Sequence, residues 1–194
     1  MNVQQAIRSR RAVRSFDHLA VTPEVIGTLL HAAVQAPSAM NAQPLAFAIV
    51  QDRARLQRYS DGAKRLLLAE PVASQHDETV HLLARGDAFN VFYDAGTLIA
   101  ICVRGHDPYG EADAWLAAEN LMLAACDLGL GTCCVSSAAS ILNTRVVRAE
   151  LAIPSDTVVV APIIVGYPGA STPAPARAAP NILSWLRDPS RHRD

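Results

Sequence analysis

Four arginines fall within seven positions near the amino terminus, at Arg8, Arg10, Arg11 and Arg14. A guanidinium group matches a phosphate group through two parallel hydrogen bonds, and several such groups together can hold a dianion. We therefore expect Arg10, Arg11 and Arg14 to converge on a phosphate where the chain leaves its first helix. A solvated helix face is the alternative interpretation of this run of charges.

A second candidate region is the segment 37–44, which reads Pro-Ser-Ala-Met-Asn-Ala-Gln-Pro. Small and amide side chains between prolines make a stiff loop with fixed hydrogen-bond donors and acceptors. Such groups suit the polar edge of a planar heterocycle or a ribityl hydroxyl group. The alternative is an ordinary connection between a helix and a strand.

A third region, 129–137, reads Gly-Leu-Gly-Thr-Cys-Cys-Val-Ser-Ser. It is not a dinucleotide-binding loop, because the third glycine of that motif is missing and the glycines follow a helix instead of opening one. At the end of the predicted strand, Ser136 and Ser137 can still offer backbone N–H groups to a ligand. The six histidines include no pair four residues apart, and no metal site is predicted.

The composition restricts the classes of partner. The chain has 194 residues, of which 51% are hydrophobic and 18% charged, with a net charge of −1. This balance favours one domain over 1–194 and argues against nucleic acid or a membrane surface as a partner. The four cysteines include no C-x-x-C pair, and the first residues lack the apolar core of a signal peptide. We therefore expect a cytoplasmic protein whose partner is a small molecule.

Hydrophobic periodicity predicts an alternation of helices and strands that positions these three regions. Thr22-Pro23-Glu24 is typical of a helix start. The other helices are predicted over 3–9, 52–68, 112–128 and 138–151. The strands are predicted over 45–50, 97–103, 132–135 and 157–165.

Two further segments indicate a second subunit. The helix 112–128 is apolar nearly all round, and such a helix must be buried on every side. In a chain of this length, part of that burial is expected against another copy. The segment 167–180 is rich in proline, alanine and small residues, which predicts an extended tail that reaches across a surface.

Taken together, the motifs resemble those of the FMN-dependent nitroreductase family in its short, single-domain form. The resemblance rests on the arginine-rich segment 10–16, the proline-bracketed segment 37–44 and Gly129-Leu130-Gly131 before a short strand. It also includes Phe92-Tyr93-Asp94-Ala95 before the strand 97–103. The sequence departs from the family pattern at Ala12, Leu45 and Pro175, where Ser, Trp and Lys are usual.

The resemblance implies an α+β fold, a three-layer sandwich with a mixed and mainly antiparallel central sheet. It also implies an intertwined homodimer with FMN at the interface, in which residues 167–194 extend over the partner subunit. In that arrangement Pro37, Ser38 and Ala39 come from the other subunit.

The same resemblance implies a set of cofactor-binding residues. Arginines hold the phosphate and the ring edge, Asn41 contacts the ribityl chain or the ring, and a backbone N–H from residues 136–137 meets flavin N5. The implied set is Arg10, Arg11, Ala12, Arg14, Pro37, Ser38, Ala39, Asn41, Ser136, Ser137 and Arg177.

The implied activity is reduction of electron-poor acceptors, such as nitroaromatics and quinones, with NAD(P)H as the donor. Hydride passes through flavin N5 in a ping-pong cycle, so no side chain is expected to be catalytic itself. Three alternatives stay open on the residues. They are an FMN-dependent oxidase or dehydrogenase of a small substrate, a flavin-binding protein without turnover, and an interaction protein without flavin.

Overall fold

A four-stranded antiparallel sheet lies at the centre of the computed structural model, which describes residues 1–69, 86, 89–105 and 107–187. Its strands follow the order β1-β2-β4-β3. They are β1 (Leu45–Val50), β2 (Thr97–Arg104), β3 (Gly131–Cys134) and β4 (Thr157–Gly166). The predicted α+β class is confirmed.

The central strands are nearly continuous apolar runs because helices cover both faces of the sheet. Alternate residues of β2 point to opposite sides, so that Leu98 and Ala100 face one core and Ile99 and Ile101 face the other. Each of these four side chains is buried. The sheet is thus the middle of three layers.

Six α-helices are present in the described part of the chain. They are α1 (Val3–Ser9), α2 (Pro23–Ala33), α3 (Arg53–Ala69), α4 (Gly110–Asp127), α5 (Ala139–Leu142) and α6 (Arg145–Glu150). Helices α2 and α4 pack on one face of the sheet, and α3 and α5 pack on the other. Thr22 caps α2 as predicted, because its side chain accepts the Val25 N–H.

The predicted single helix over 138–151 is wrong in one respect, because it divides into α5 and α6. Asn143 caps the end of α5 and ties this segment to β4, because its side chain donates to the Val159 carbonyl and accepts the Val159 N–H. Thr144 then caps α6 by accepting the Val147 N–H. Side chains that bond locally to the backbone compete with a continuous helix.

Helix α4 buries one face and leaves another accessible within a single chain. Ala114, Ala118 and Leu121 are fully buried against the sheet and α2, whereas Trp115 is 36% exposed and Leu116 48% exposed. The burial on all sides that the sequence predicts is therefore incomplete in one copy. Its completion by a second copy stays a prediction.

The tail leaves β4 and runs over the surface. Its described part, residues 167–187, forms neither helix nor strand apart from a bridge at Pro168 and is mostly exposed. Among the described helices, none combines the length and the apolarity that crossing a bilayer requires.

Candidate functional site

The arginine-rich segment 10–16 is fixed along the outer edge of β3. The Val13 N–H donates to the Thr132 carbonyl at 2.9 Å, in a parallel bridge between Ala12 and Thr132. Gly131 permits this approach, because a Cβ at that position would lie 2.8 Å from Val13 side-chain atoms. The sequence therefore places a glycine where two backbones must meet closely.

A cleft of about 260 Å³ opens beside this segment. It lies between the end of α1, the end of α4, the start of β3 and the beginning of the tail. Its lining residues are Ser9, Arg10, Arg11, Val13, Cys126, Gly129, Leu130, Thr132, Pro168, Ala170, Ser171 and Thr172. Two of the three expected phosphate-binding arginines thus share one cavity with hydroxyl groups.

Arg10 faces a carboxylate on α4. Its Nε lies 3.2 Å from Glu119 Oε1, and the two side chains are 22% and 47% exposed. The Nε atom itself is buried and makes no aligned hydrogen bond. The distance between the two atoms is that of an ion pair, but the N–H bond does not point at the oxygen. The contact is therefore electrostatic and not a hydrogen bond. This donor is buried and unsatisfied by the chain itself.

Arg11 is held by backbone carbonyls at the end of α1. Its Nη1 donates to the Arg8 carbonyl at 2.5 Å and to the Arg10 carbonyl at 2.8 Å. Carbonyls at a helix C-terminus lack partners within the helix, and a cation stabilises them. Arg11 therefore closes α1 and lines the cleft at the same time.

Arg14 lies on the opposite face of the segment. Ala12 and Phe16, two residues before and after it, pack against the core under α3, and the Arg14 guanidinium lies 5.8 Å from the centre of the Tyr93 ring. It is absent from the cleft lining. Arg14 therefore shares the side of Ala12 and Phe16, as residues two apart in an extended segment do, whereas Arg10 and Arg11 lie at the end of α1 and line the cleft.

The loop 37–44 is held in a strained conformation. Met40, Asn41 and Gln43 have φ values of 51°, 55° and 49°, in the left-handed region that costs about 1–3 kcal/mol for each such residue. Within the loop, Ser38 Oγ accepts the Gln43 N–H at 3.0 Å. Met40 at the tip is almost fully exposed.

Asp113 on α4 anchors this loop and was not singled out from the sequence. The Ala39 N–H donates to its two carboxylate oxygens, with N···O distances of 3.3 and 3.2 Å, and Asp113 is 4% exposed. The sequence signal that could have identified Asp113 is an acid on the face of α4 that is otherwise apolar and packs against the core. Buried carboxylates are retained where they accept hydrogen bonds.

The loop and the cleft lie toward opposite ends of α4. Asp113 holds the loop near the N-terminus of the helix, and Cys126 lines the cleft near its C-terminus. At 1.5 Å rise per residue, these positions are about 20 Å apart along the axis. A single chain therefore keeps two of the predicted binding regions apart.

Ser136 and Ser137 begin a short 3₁₀-helix, Ser136–Ala138, which follows β3 after Val135. Ser136 is exposed, and its Oγ lies 3.5 Å from Cys134 Sγ. Burial raises the pKa of the Cys134 thiol, although hydrogen bonds from Ser136 act in the opposite direction. This thiol is therefore protonated at neutral pH.

The tail contributes to the cleft through residues other than the expected one. Pro168, Ser171 and Thr172 line it, whereas Arg177 lies farther along the tail and is exposed. The bridge between Phe16 and Pro168 fixes the start of the tail beside the arginine segment. Sequence reasoning missed these hydroxyl residues because a low-complexity segment gives no periodic signal.

No group of metal-ligating side chains lies close enough to hold an ion within the described residues. The four cysteines, all within the described part of the chain, form no disulfide. Cys126, in the cleft, has a pKa raised by burial, which the charges of Arg10 and Arg11 oppose.

Comparison with known sequences assigns most of the chain. Residues 7–167 match the sequence model of the Nitroreductase family. A protein of Archaeoglobus fulgidus, assigned as an NADH dehydrogenase/NAD(P)H nitroreductase, is 28% identical over 170 residues. That alignment covers 84% of this chain and 83% of the archaeal protein.

Comparison with solved structures gives the same fold. A nitroreductase of Bacteroides fragilis with bound FMN superposes with a TM-score of 0.81 at 24% identity, covering 96% of this chain and all of that one. An FMN-dependent nitroreductase of Clostridium difficile has a TM-score of 0.78 and 26% identity. It covers 94% of this chain and 98% of its own.

Proposed function

The chain belongs to the nitroreductase family, and on that premise we propose that it is an FMN-dependent NAD(P)H oxidoreductase. Its substrates on this proposal are electron-poor acceptors, namely nitroaromatics and quinones. The observation that carries the proposal is the cleft in which Arg10 and Arg11 meet. The C. difficile relative with 26% identity is named as FMN-dependent, and the archaeal relative is named for NADH and NAD(P)H.

The residues of the cleft fit the phosphate end of FMN. Two guanidinium groups and the hydroxyls of Ser171 and Thr172 form a donor set suited to a phosphate monoester. The volume of about 260 Å³ is below the roughly 300–1,000 Å³ of complete ligand pockets. The cleft thus suits one end of the cofactor.

On this proposal a second subunit completes the site. Pro37, Ser38, Ala39 and Asn41 of one copy meet the cleft of the other, since one chain keeps the two regions about 20 Å apart along α4. The exposed apolar face of α4 supports a homodimer, as does the tail, where Leu183 is 92% exposed and Trp185 66% exposed. Large apolar surfaces of this kind mark interaction sites.

The remaining predicted residues take supporting roles. Ala12 keeps the segment close to β3, Arg14 supports it from the aromatic side, and Arg177 returns to the phosphate when the tail is ordered over the partner. Ser136 and Ser137 supply backbone N–H groups where the flavin ring would lie.

When bound, FMN supplies a flavin N5 that takes a hydride from NAD(P)H and passes it to the acceptor. The chain binds and orients the cofactor, and the donor leaves before the acceptor enters the same space, which gives a ping-pong cycle. Solvent supplies the protons, so that no side chain acts as a general acid. The N–H groups of residues 136–137 favour the electron-rich ring.

We also propose a cytoplasmic location. All four cysteines lie within the described residues, and no disulfide joins any two of them. Reducing compartments keep thiols in that state.

The decisive experiment is anaerobic. The purified protein is expected to show the visible absorption of flavin, to lose it on addition of NADH or NADPH, and to regain it on addition of a nitroaromatic or a quinone. A colourless protein that takes up no added FMN would contradict the proposal. Bound flavin that neither nucleotide bleaches would contradict the reductase assignment and favour an oxidase or dehydrogenase.

A further inference from the structure

We infer that Glu119 is a positioning residue for Arg10, which fixes that guanidinium for a phosphate in the cleft. The inference deepens the proposed function and rests on it. Glu119 lies on α4, outside the three segments that the family resemblance singled out, and it does not line the cleft itself.

Glu119 faces only one edge of the Arg10 guanidinium group. Arg10 Nε lies 3.2 Å from Glu119 Oε1, with Arg10 mostly buried and Glu119 half-exposed. A guanidinium carries five N–H donors in a planar fork with more than one usable edge. A carboxylate beside Nε restrains the plane from one edge and leaves the terminal nitrogens for a second anion.

Arg10 needs such a restraint more than its neighbour does. Arg11 Nη1 is already held by the carbonyls of Arg8 and Arg10. The buried Nε of Arg10 makes no aligned hydrogen bond. A long side chain ordered only on ligand binding would lose rotamer entropy at that moment, whereas one ordered beforehand would not.

Two simpler explanations make different predictions. An exposed ion pair often contributes nothing measurable, in which case removal of Glu119 leaves FMN affinity unchanged. Alternatively, the carboxylate repels the phosphate, in which case its removal tightens binding. Only a positioning role weakens phosphate binding when Glu119 is removed and restores it with a neutral acceptor of the same shape.

The experiment titrates apo-protein with FMN and with riboflavin, which lacks the phosphate, and records quenching of flavin fluorescence. Glu119→Ala is expected to raise the Kd for FMN by about tenfold and to leave riboflavin binding nearly unchanged. Glu119→Gln keeps an acceptor oxygen and is expected to recover most of the affinity. Glu111→Gln, an exposed acid on the same helix, is the matched control and is expected to match wild type.

A double variant tests the dependence on Arg10. In an Arg10→Ala background, Glu119→Ala is expected to change the FMN Kd no further. Three outcomes would each overturn the inference. They are unchanged or tighter FMN binding by Glu119→Ala, equal losses of affinity for FMN and riboflavin, and full additivity with Arg10→Ala. Melting temperatures of both Glu119 variants verify folding.

The outcomes separate this inference from the proposed function. If wild type and Glu119→Ala bind FMN with the same Kd, only the positioning role is overturned. Wild-type protein that takes up no FMN overturns the proposed function, and the inference with it.

Discussion

In the middle of α4 the half-exposed Glu119 faces Arg10, whereas near the start of the helix the buried Asp113 accepts the Ala39 N–H. The first contact joins two charged side chains, of which Arg10 lines the cleft and Glu119 does not. The second joins a buried carboxylate to the backbone of a strained loop. The difference indicates that the cleft depends on the charge of Arg10 to bind a ligand, whereas the loop 37–44 depends on a buried hydrogen bond for its conformation.

The largest expected effect is on the cleft. Arg10→Ala is expected to weaken FMN binding by about 1.5–3 kcal/mol, because a charge-assisted contact to the phosphate is lost. Titration of the apo-protein measures it. Arg8→Ala removes an equal charge from an exposed position of the same segment and serves as the control. Equal effects of the two variants would mean that only the overall charge matters.

The support of the cleft is tested at Gly131. Gly131→Ala places a methyl group 2.8 Å from Val13 and is expected to destabilise the protein by about 1–3 kcal/mol, because it forces the arginine segment away from β3. Urea unfolding measures the loss, and FMN affinity should fall with it. In Gly27→Ala nothing lies within 4 Å of the new Cβ, so this control should be neutral or slightly stabilising. Full stability of Gly131→Ala would disprove the close approach.

The loop end is tested at Asp113. Asp113→Ala leaves the Ala39 N–H without its acceptor and is expected to cost about 1–2 kcal/mol of unfolding free energy. It should also loosen the loop, which hydrogen exchange of residues 38–43 would detect. Glu111→Ala, exposed on the same helix, should change neither quantity. An unaltered exchange pattern in Asp113→Ala would remove the anchor from this account.

The smallest effect is expected at Arg14. Its guanidinium lies over Tyr93 and not in the cleft, so Arg14→Ala should weaken FMN binding by about 0.5–1 kcal/mol, through loss of the aromatic contact. This is less than the effect of Arg10→Ala in the same titration. An equal or larger loss would show that Arg14 reaches the phosphate, as the sequence alone predicted.

The sequence predicted the elements well because their signals are local. Thr22-Pro23 marks the start of α2, and continuous β-branched runs mark β2 and β4. It failed at Asn143 and Thr144, where side chains that bond to the backbone divide a helix that periodicity predicts as continuous.

The site was predicted less completely, since contacts between distant segments leave no periodic trace. The arginine density indicated a phosphate but not that Arg14 lies with Ala12 and Phe16 on the side of Tyr93, away from the cleft at Arg10 and Arg11. Asp113 and Glu119 contact residues that are far from them in sequence and come close only in the folded chain. The end of the predicted tail, residues 188–194, lies outside the described residues, as does the segment 70–85.

We propose that the cleft at Arg10 and Arg11 holds the phosphate of FMN and that a second copy of the chain completes the site. A crystal structure of the protein soaked with FMN would locate both. We expect a dimer with the phosphate against Arg10 and Arg11 and the loop 37–44 of the other copy on the cofactor. A monomer, or FMN bound elsewhere with this cleft empty, would contradict it.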